Sequence, residues 1–294
     1  MSEAIINEQL LSEIETLATL VKNNTAGMFG GMRRSKSLGS SSEFADYREY
    51  MPGDDITRID WNAYARFEKL YEKLYYDERQ MHTRIYIDAS RSMRYGDENK
   101  RVQALRLAAA LAYLSVCEMD KVSVYAIVGG TAREIISGMV GKESYYLEIG
   151  KLDGIEFDGD CRISEAILPT KVGMGDGYSI IISDFLTDAN YEDAIDLLAD
   201  KKRDIMCIQV LGAEEINPQI RGKMHLFDSE SQSRYYRKNI DREIVKAYRA
   251  ALKYAQDRIS DYCAARGASY ICVSALDSFG TVFFGKLIDI GVLK

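Results

Sequence analysis

The chain has no stretch approaching the roughly twenty consecutive apolar residues that a membrane-spanning helix needs. Its first eight residues lack the positive n-region and apolar core of a signal peptide. Both absences predict a soluble protein with no membrane insertion. Cysteine occurs five times, at Cys117, Cys161, Cys207, Cys263 and Cys272, with no CxxC pair. An odd count leaves a thiol over in any internal disulfide scheme, so reduced thiols in a cytoplasmic setting are expected. Excess positive charge is missing too. With 38 Lys+Arg against 45 Asp+Glu the net charge is -7, and such a field repels phosphate backbones, so no nucleic-acid partner is expected.

Catalytic signatures are also scarce. There is no GxSxG elbow, and Gly141-Lys142 has neither the earlier glycine nor the following Ser or Thr of a phosphate loop, so no nucleotide is expected. His82 and His225 are the only two histidines, too few for most zinc sites and without an HExxH arrangement.

What is present is a chain of 294 residues, 47% hydrophobic, enough for one large core or two modest ones. Residues 3–21 place Leu10, Ile14, Leu17 and Val21 at helical spacing, which predicts an amphipathic helix packed by one face. Residues 27–42 are rich in glycine and serine with Arg33, Arg34 and Lys36 among them, and read as a solvated loop. Strands are predicted over 83–88, 121–128, 178–183, 204–211 and 270–274, and helices over 101–118, 191–200 and 241–266. The last helix carries a stripe of Ile244, Tyr248, Ala251, Ala255, Ile259 and Tyr262 and is capped by Gly267. Gly129-Gly130 turns residues 131–136 back against 121–128 as a hairpin. Strands alternating with helices predict a doubly wound, mostly parallel α/β sheet with one antiparallel strand near an edge.

Ligands of such sheets bind beyond the carboxyl ends of the strands. Two predicted strands end in aspartate there, Asp88 followed by Ser90 and Ser92, and Asp184. Two carboxylates and two hydroxyls form an oxygen set suited to a hard cation such as Mg²⁺ or Mn²⁺. The competing reading is that these short polar side chains only cap the helix that follows.

Upstream, Pro52-Gly53 is a strong turn signal. Around it stand Arg48, Asp54, Asp55, Arg58, Asp60 and Arg66, with Tyr50 and Trp61, enough opposite charges for a mutually neutralising network. Such a network either pins this segment onto the sheet domain or presents it to a partner.

Glu43-Phe44, the run from Arg48 to Asp55, Arg58 to Trp61 and Ala65-Arg66 resemble the signature of the bacterial family called domain of unknown function 58. Asp88-x-Ser90-x-Ser92 and Asp184 resemble the metal-ion-dependent adhesion site of von Willebrand factor A domains. The resemblance implies an N-terminal helix, loop and signature over residues 1–79, then a von Willebrand A-like domain over 80–294. It implies a divalent metal at Asp88, Ser90, Ser92 and Asp184, and a MoxR-type AAA+ ATPase as partner. One position departs: the threonine of such sites falls on Cys161, and a thiol is a poor ligand for a hard cation. Either Asp160 takes over or the metal is held weakly or lost.

The expectation is therefore a non-catalytic, cytoplasmic protein-binding module. The catalytic rival is a Mg-dependent phosphohydrolase of haloacid-dehalogenase type, with Asp88 as nucleophile. That chemistry wants an acid two residues on, where this chain has Ser90.

Overall fold

The computed structural model describes residues 4–24, 44–75, 81–94, 100–175, 177–186, 190–219, 222–227 and 235–289. The basic, glycine-rich stretch around Arg33, Arg34 and Lys36 lies outside the described residues.

Helix α1 spans Glu8–Asn24 and begins where Asn7 Oδ1 accepts the Leu10 N–H at 2.9 Å, a side-chain N-cap. Its predicted stripe of Leu10, Ile14, Leu17 and Val21 is buried in the main core. Next comes a unit made of β1 (Phe44–Glu49), α2 (Trp61–Phe67) and β2 (Tyr71–Tyr75), in which β1 and β2 pair antiparallel.

The sheet domain follows as β3 (His82–Asp88), α3 (Lys100–Cys117), β4 (Lys121–Val128), β5 (Thr131–Met139), α4 (Gly141–Glu148), α5 (Ile163–Ile167), β6 (Tyr178–Ser183), α6 (Glu192–Asp200), β7 (Asp204–Leu211) and α7 (Ala213–Ile216). After the two-stranded pair β8 (Gly222–Phe227) and β9 (Tyr235–Ile240), the chain closes with α8 (Arg242–Ala265), β10 (Ser269–Ser274) and the short α9 (Leu287–Asp289). The six-stranded sheet has the order β10-β7-β6-β3-β4-β5. All of its neighbours pair parallel except β4 with the edge strand β5. This is the doubly wound, mostly parallel arrangement with one antiparallel edge strand that the alternation predicts.

Two apolar layers sandwich the sheet. Successive side chains of a strand point to opposite faces, so Ile85 and Ile87 join the core beneath α1, α3 and α4, while Tyr86 joins the core beneath α5, α6 and α8. β6 is buried at every position, as a central parallel strand must be. The chain turns from β4 into β5 at Gly129, whose φ of +56° a side-chain-bearing residue rarely adopts.

The predicted stripe of α8 is only half realised. The helix begins at the Asp241 cap and ends at Gly267, φ +68°, as expected, but it buries Leu252, Ile259 and Cys263 and leaves Ile244 and Tyr248 38% and 39% exposed. The reason is length: 24 residues make a helix of about 36 Å, while the six-residue β10 beneath it covers about 20 Å. The first turns of the helix extend past β10. Among the described residues all five cysteines are free thiols, and no helix is long and apolar enough to cross a membrane.

Candidate functional site

β3 is one of the two central strands, flanked by β4 and β6, so its carboxyl end opens at the middle of the sheet edge. Asp88 is its last residue and only 2% exposed. Asp88 Oδ1 accepts the Ser90 N–H at 2.8 Å, and Oδ2 accepts the Ser183 hydroxyl at 2.5 Å from the end of β6. The first bond folds residues 88–90 into a local turn, so Asp88 serves its own loop and not the start of α3. The hydroxyls of Ser90 and Ser92 lie 3.0 Å apart as Ser92 enters a 3-10 turn over Ser92–Arg94, anchored by the buried Met93.

Asp184 follows β6 directly and is also 2% exposed. Its Oδ1 accepts the Leu186 N–H at 3.1 Å, and its Oδ2 accepts the Lys100 ammonium at 2.9 Å. Between them Phe185 takes a φ of +51°, an uncommon conformation for a bulky residue, and buries its ring at a T-shaped 5.7 Å from Tyr191.

Lys100 was not anticipated from the sequence. It is 2% exposed and also reaches Glu215 Oε1 at 2.8 Å, on α7. Burial works against its charge, but Asp184 and Glu215 outweigh burial and hold its pKa above the ordinary value. One signal was legible: Lys100 precedes Ala104, Leu107 and Leu111 at i+4, i+7 and i+11, which places a lysine on the apolar face of α3. Asp88 shows the opposite situation. Burial, then the neighbouring Asp184 carboxylate, push its pKa up, while its hydrogen-bond donors are neutral.

The loop that carries Asp160 and Cys161 is joined to the Asp88 loop. The Asp158 N–H donates to Ala89 O at 2.9 Å, and the Arg91 N–H to Gly159 O at 3.0 Å. Its carboxylates are engaged outward: Asp160 pairs with Arg162 at 3.2 Å, and Asp158 with Arg91, which holds the Asp158 carboxyl below its usual range. Cys161 turns inward, buried in the core beneath α5, and bridges to Gly129.

Thus Asp88, Ser90, Ser92 and Asp184 converge at one sheet edge, with Asp160 on the adjoining loop and facing Arg162. Among the described residues no cluster of three or more His, Cys, Asp or Glu is placed to hold a metal ion. The apex donors are instead two carboxylates and two hydroxyls, all hard oxygens, which fit Mg²⁺ or Mn²⁺ with water completing the shell and do not fit a soft ion. Two carboxylates, Asp184 and Glu215, share the Lys100 ammonium, while Asp88, beside Asp184, is met only by neutral donors.

The signature residues build the β1–α2–β2 unit. Gly53, at φ +114°, makes the predicted turn, closed by the Asp54 N–H donating to Met51 O at 3.0 Å. Arg48 lies between Asp54 at 2.9 Å and Glu72 at 2.8 Å; Glu72, on β2, was not foreseen. Asp55 caps the 3-10 turn Ile56–Arg58 and lies 3.7 Å from Arg58. Asp60 caps α2, accepts from the Tyr47 hydroxyl at 2.8 Å and pairs with Lys73 at 3.2 Å; these partners, Tyr47 foremost, hold its carboxyl down to about 2. The Tyr50 N–H donates to Leu70 O at 2.9 Å.

Every ion pair described in this unit runs between its own residues. Among the described residues these pairs tie the parts of the unit to one another. No residue of α2 is buried, and Trp61 and Phe67 are 63% and 65% exposed, with Tyr64 between them at one helical turn. Beside them Arg66, Phe67, Tyr47 and Tyr71 line a groove of ≈ 710 Å³.

His82 lies at the far end of β3, bonded to the Ser123 hydroxyl at 3.0 Å, and so stands away from the Asp88 edge. His225 falls within β8.

The family model described as "Protein of unknown function DUF58" matches residues 46–258. Uncharacterized proteins of Mycobacterium tuberculosis, Rv1480, and Mycobacterium bovis, Mb1516, are each 25% identical over 236 residues, covering 77% of this chain and 73% of theirs. Among solved structures, the SpRpn10 VWA domain aligns at 8% identity and TM-score 0.39, over 73% of this chain and 98% of that one. An aerotolerance-related membrane protein from Bacteroides fragilis aligns at 12% and TM-score 0.38, over 71% and 97%.

Proposed function

From the premise that this chain belongs to the DUF58 family, we propose that it is a non-catalytic, cytoplasmic protein-binding module working beside a MoxR-type AAA+ ATPase. The observation that carries this reading is the pairing of Asp88 and Asp184, two buried carboxylates side by side at the sheet edge with the Ser90 and Ser92 hydroxyls next to them. A divalent ion held there by Asp88, Ser90, Ser92 and Asp184 would supply a Lewis-acidic point for an acidic side chain of the partner. The chain's own residues keep the edge preorganised. Ser183 and the Ser90 N–H hold the Asp88 carboxylate, and the 158–160 loop braces the serines from the side through its backbone bonds to Ala89 and Arg91.

The same bonds disfavour a phosphoryl nucleophile. Both oxygens of Asp88 are tied by local donors, and the position of a general acid is held by Ser90. Calorimetric titration of chelator-treated protein with Mg²⁺ and Mn²⁺ tests the reading. The wild type is expected to show saturable binding, and Asp88→Ala to lose both binding and ATPase capture while melting as one transition. Capture undiminished in Asp88→Ala would overturn the apex model.

A second contact surface is favoured by the exposed aromatic face of α2. Burying Trp61, Tyr64 and Phe67 against a partner removes apolar area from water, and Trp, Tyr and Arg are the side chains that dominate such contacts. In this reading Trp61→Ala with Phe67→Ala abolishes ATPase capture and Asp88→Ala does not, so the two variants separate the surfaces.

A further inference from the structure

Resting on the apex reading above, we propose that Lys100 is a built-in competitor of the divalent ion. Its ammonium and the ion contend for the Asp184 carboxylate, and Glu215 sets the balance by holding Lys100 from the other side.

The two carboxylates of the apex are held differently. Asp88 is bonded by a backbone N–H and a serine hydroxyl, neutral donors that leave its charge uncompensated. Asp184 has one oxygen on the Leu186 N–H and the other on an ammonium. Lys100 Nζ lies almost evenly between Asp184 Oδ2 at 2.9 Å and Glu215 Oε1 at 2.8 Å, and the lysine is sequestered from water, so its charge is weakly screened. A divalent ion that takes Asp184 as ligand must displace this ammonium or approach it against unit-charge repulsion.

Glu215 is the accessible end of the device. Its side chain is about one-third exposed, and its second oxygen accepts the Gly212 N–H at 2.7 Å, which fixes it at the start of α7. With Glu215 charged, Lys100 is shared. With a neutral side chain in place of Glu215, Lys100 turns wholly to Asp184 and competes harder with the ion. Metal affinity is thereby tunable from the α7 surface, one element away from the ligands.

The test is titration of the chelator-treated full chain with Mg²⁺ and Mn²⁺ in wild type, Lys100→Met, Asp184→Asn, the Lys100→Met/Asp184→Asn double variant and Glu215→Gln, with thermal melts as a folding control. Lys100→Met should tighten binding by roughly tenfold or more, the scale of removing a nearby like charge at intermediate dielectric. The gain should vanish in the Asp184→Asn background, the mark of a shared partner. Glu215→Gln should weaken binding several-fold.

Affinity in Lys100→Met equal to or below wild type overturns the competition and leaves the apex reading intact. A gain that survives Asp184→Asn also overturns it, reducing Lys100 to a through-space charge. Absence of binding in folded wild type and folded Lys100→Met overturns both. Should Lys100→Met not fold, Glu215→Gln is titrated with and without Asp184→Asn: a loss of affinity that needs Asp184 supports the competition, and a loss that survives Asp184→Asn, or equal or tighter binding, overturns it.

Discussion

Asp88 and His82 occupy opposite ends of β3 and respond to pH with opposite signs. Asp88 has its pKa raised by burial and by Asp184, so the folded state holds that proton more tightly than the unfolded state does. Its contribution is full below the unfolded value, about 3.9, and is lost as pH rises through the folded one. The metal-free protein therefore carries an ionisation penalty at neutral pH. Asp88→Asn, which can still accept from the Ser90 N–H, should melt higher than wild type at pH 7 in chelator and lose that advantage near pH 4. A lower melting point at pH 7 would contradict the penalty.

His82 has its pKa lowered to about 4, by burial first and then by Arg84, Lys121 and Arg203. Its stabilising contribution is present above the unfolded value of about 6.5 and is lost as pH falls toward 4. His82→Gln should flatten the decline in melting temperature between these values, and a decline as steep as wild type would show that His82 is not the group responsible.

Helices α1 and α2 both carry apolar residues at helical intervals and use them in opposite ways. In α1 the stripe is inside, with Ile14 wholly buried against the α3 side of the core. Ile14→Ala should cost about 2–4 kcal/mol in chemical denaturation, the range for a buried aliphatic truncation that leaves a cavity. In α2 the stripe is outside, so Trp61→Ala with Phe67→Ala should change stability by less than about 1 kcal/mol. If the α2 pair proves as costly as Ile14→Ala, α2 is a core element and its aromatics are not a contact surface.

At the scale of the whole molecule, the chain has a sheet body with an apolar layer on each face and a small unit whose described ion pairs run among its own residues. Hydrogen exchange should reflect this. Amides of β3, β6 and β7, buried strands in the middle of the sheet, should exchange only through global unfolding. Amides of the Phe44–Glu49 and Tyr71–Tyr75 strands should exchange earlier, through local opening of a two-stranded pair. Equal protection in both regions would mean that the signature unit folds as one with the sheet.

Much of this was legible in the sequence because the deciding forces are local or periodic. Alternating runs specified β3, β4, β6 and β7 almost to the residue, since a buried parallel strand must be apolar on both faces. Pro52-Gly53 and Gly129-Gly130 specified their turns because few residues tolerate a positive φ. The convergence of Asp88 with Ser90 and Ser92 followed from their spacing in one loop, and Asp184 from its place at the end of the neighbouring strand. What tertiary structure alone decided was which distant charges meet. Lys100 meets Asp184 and Glu215 across 84 and 115 positions, Arg48 meets Glu72 across 24, and the aromatics of α2 face water and not a core. Periodicity marks a face as apolar or charged but carries no information on what lies opposite it, because long-range pairing is settled by how the whole chain packs.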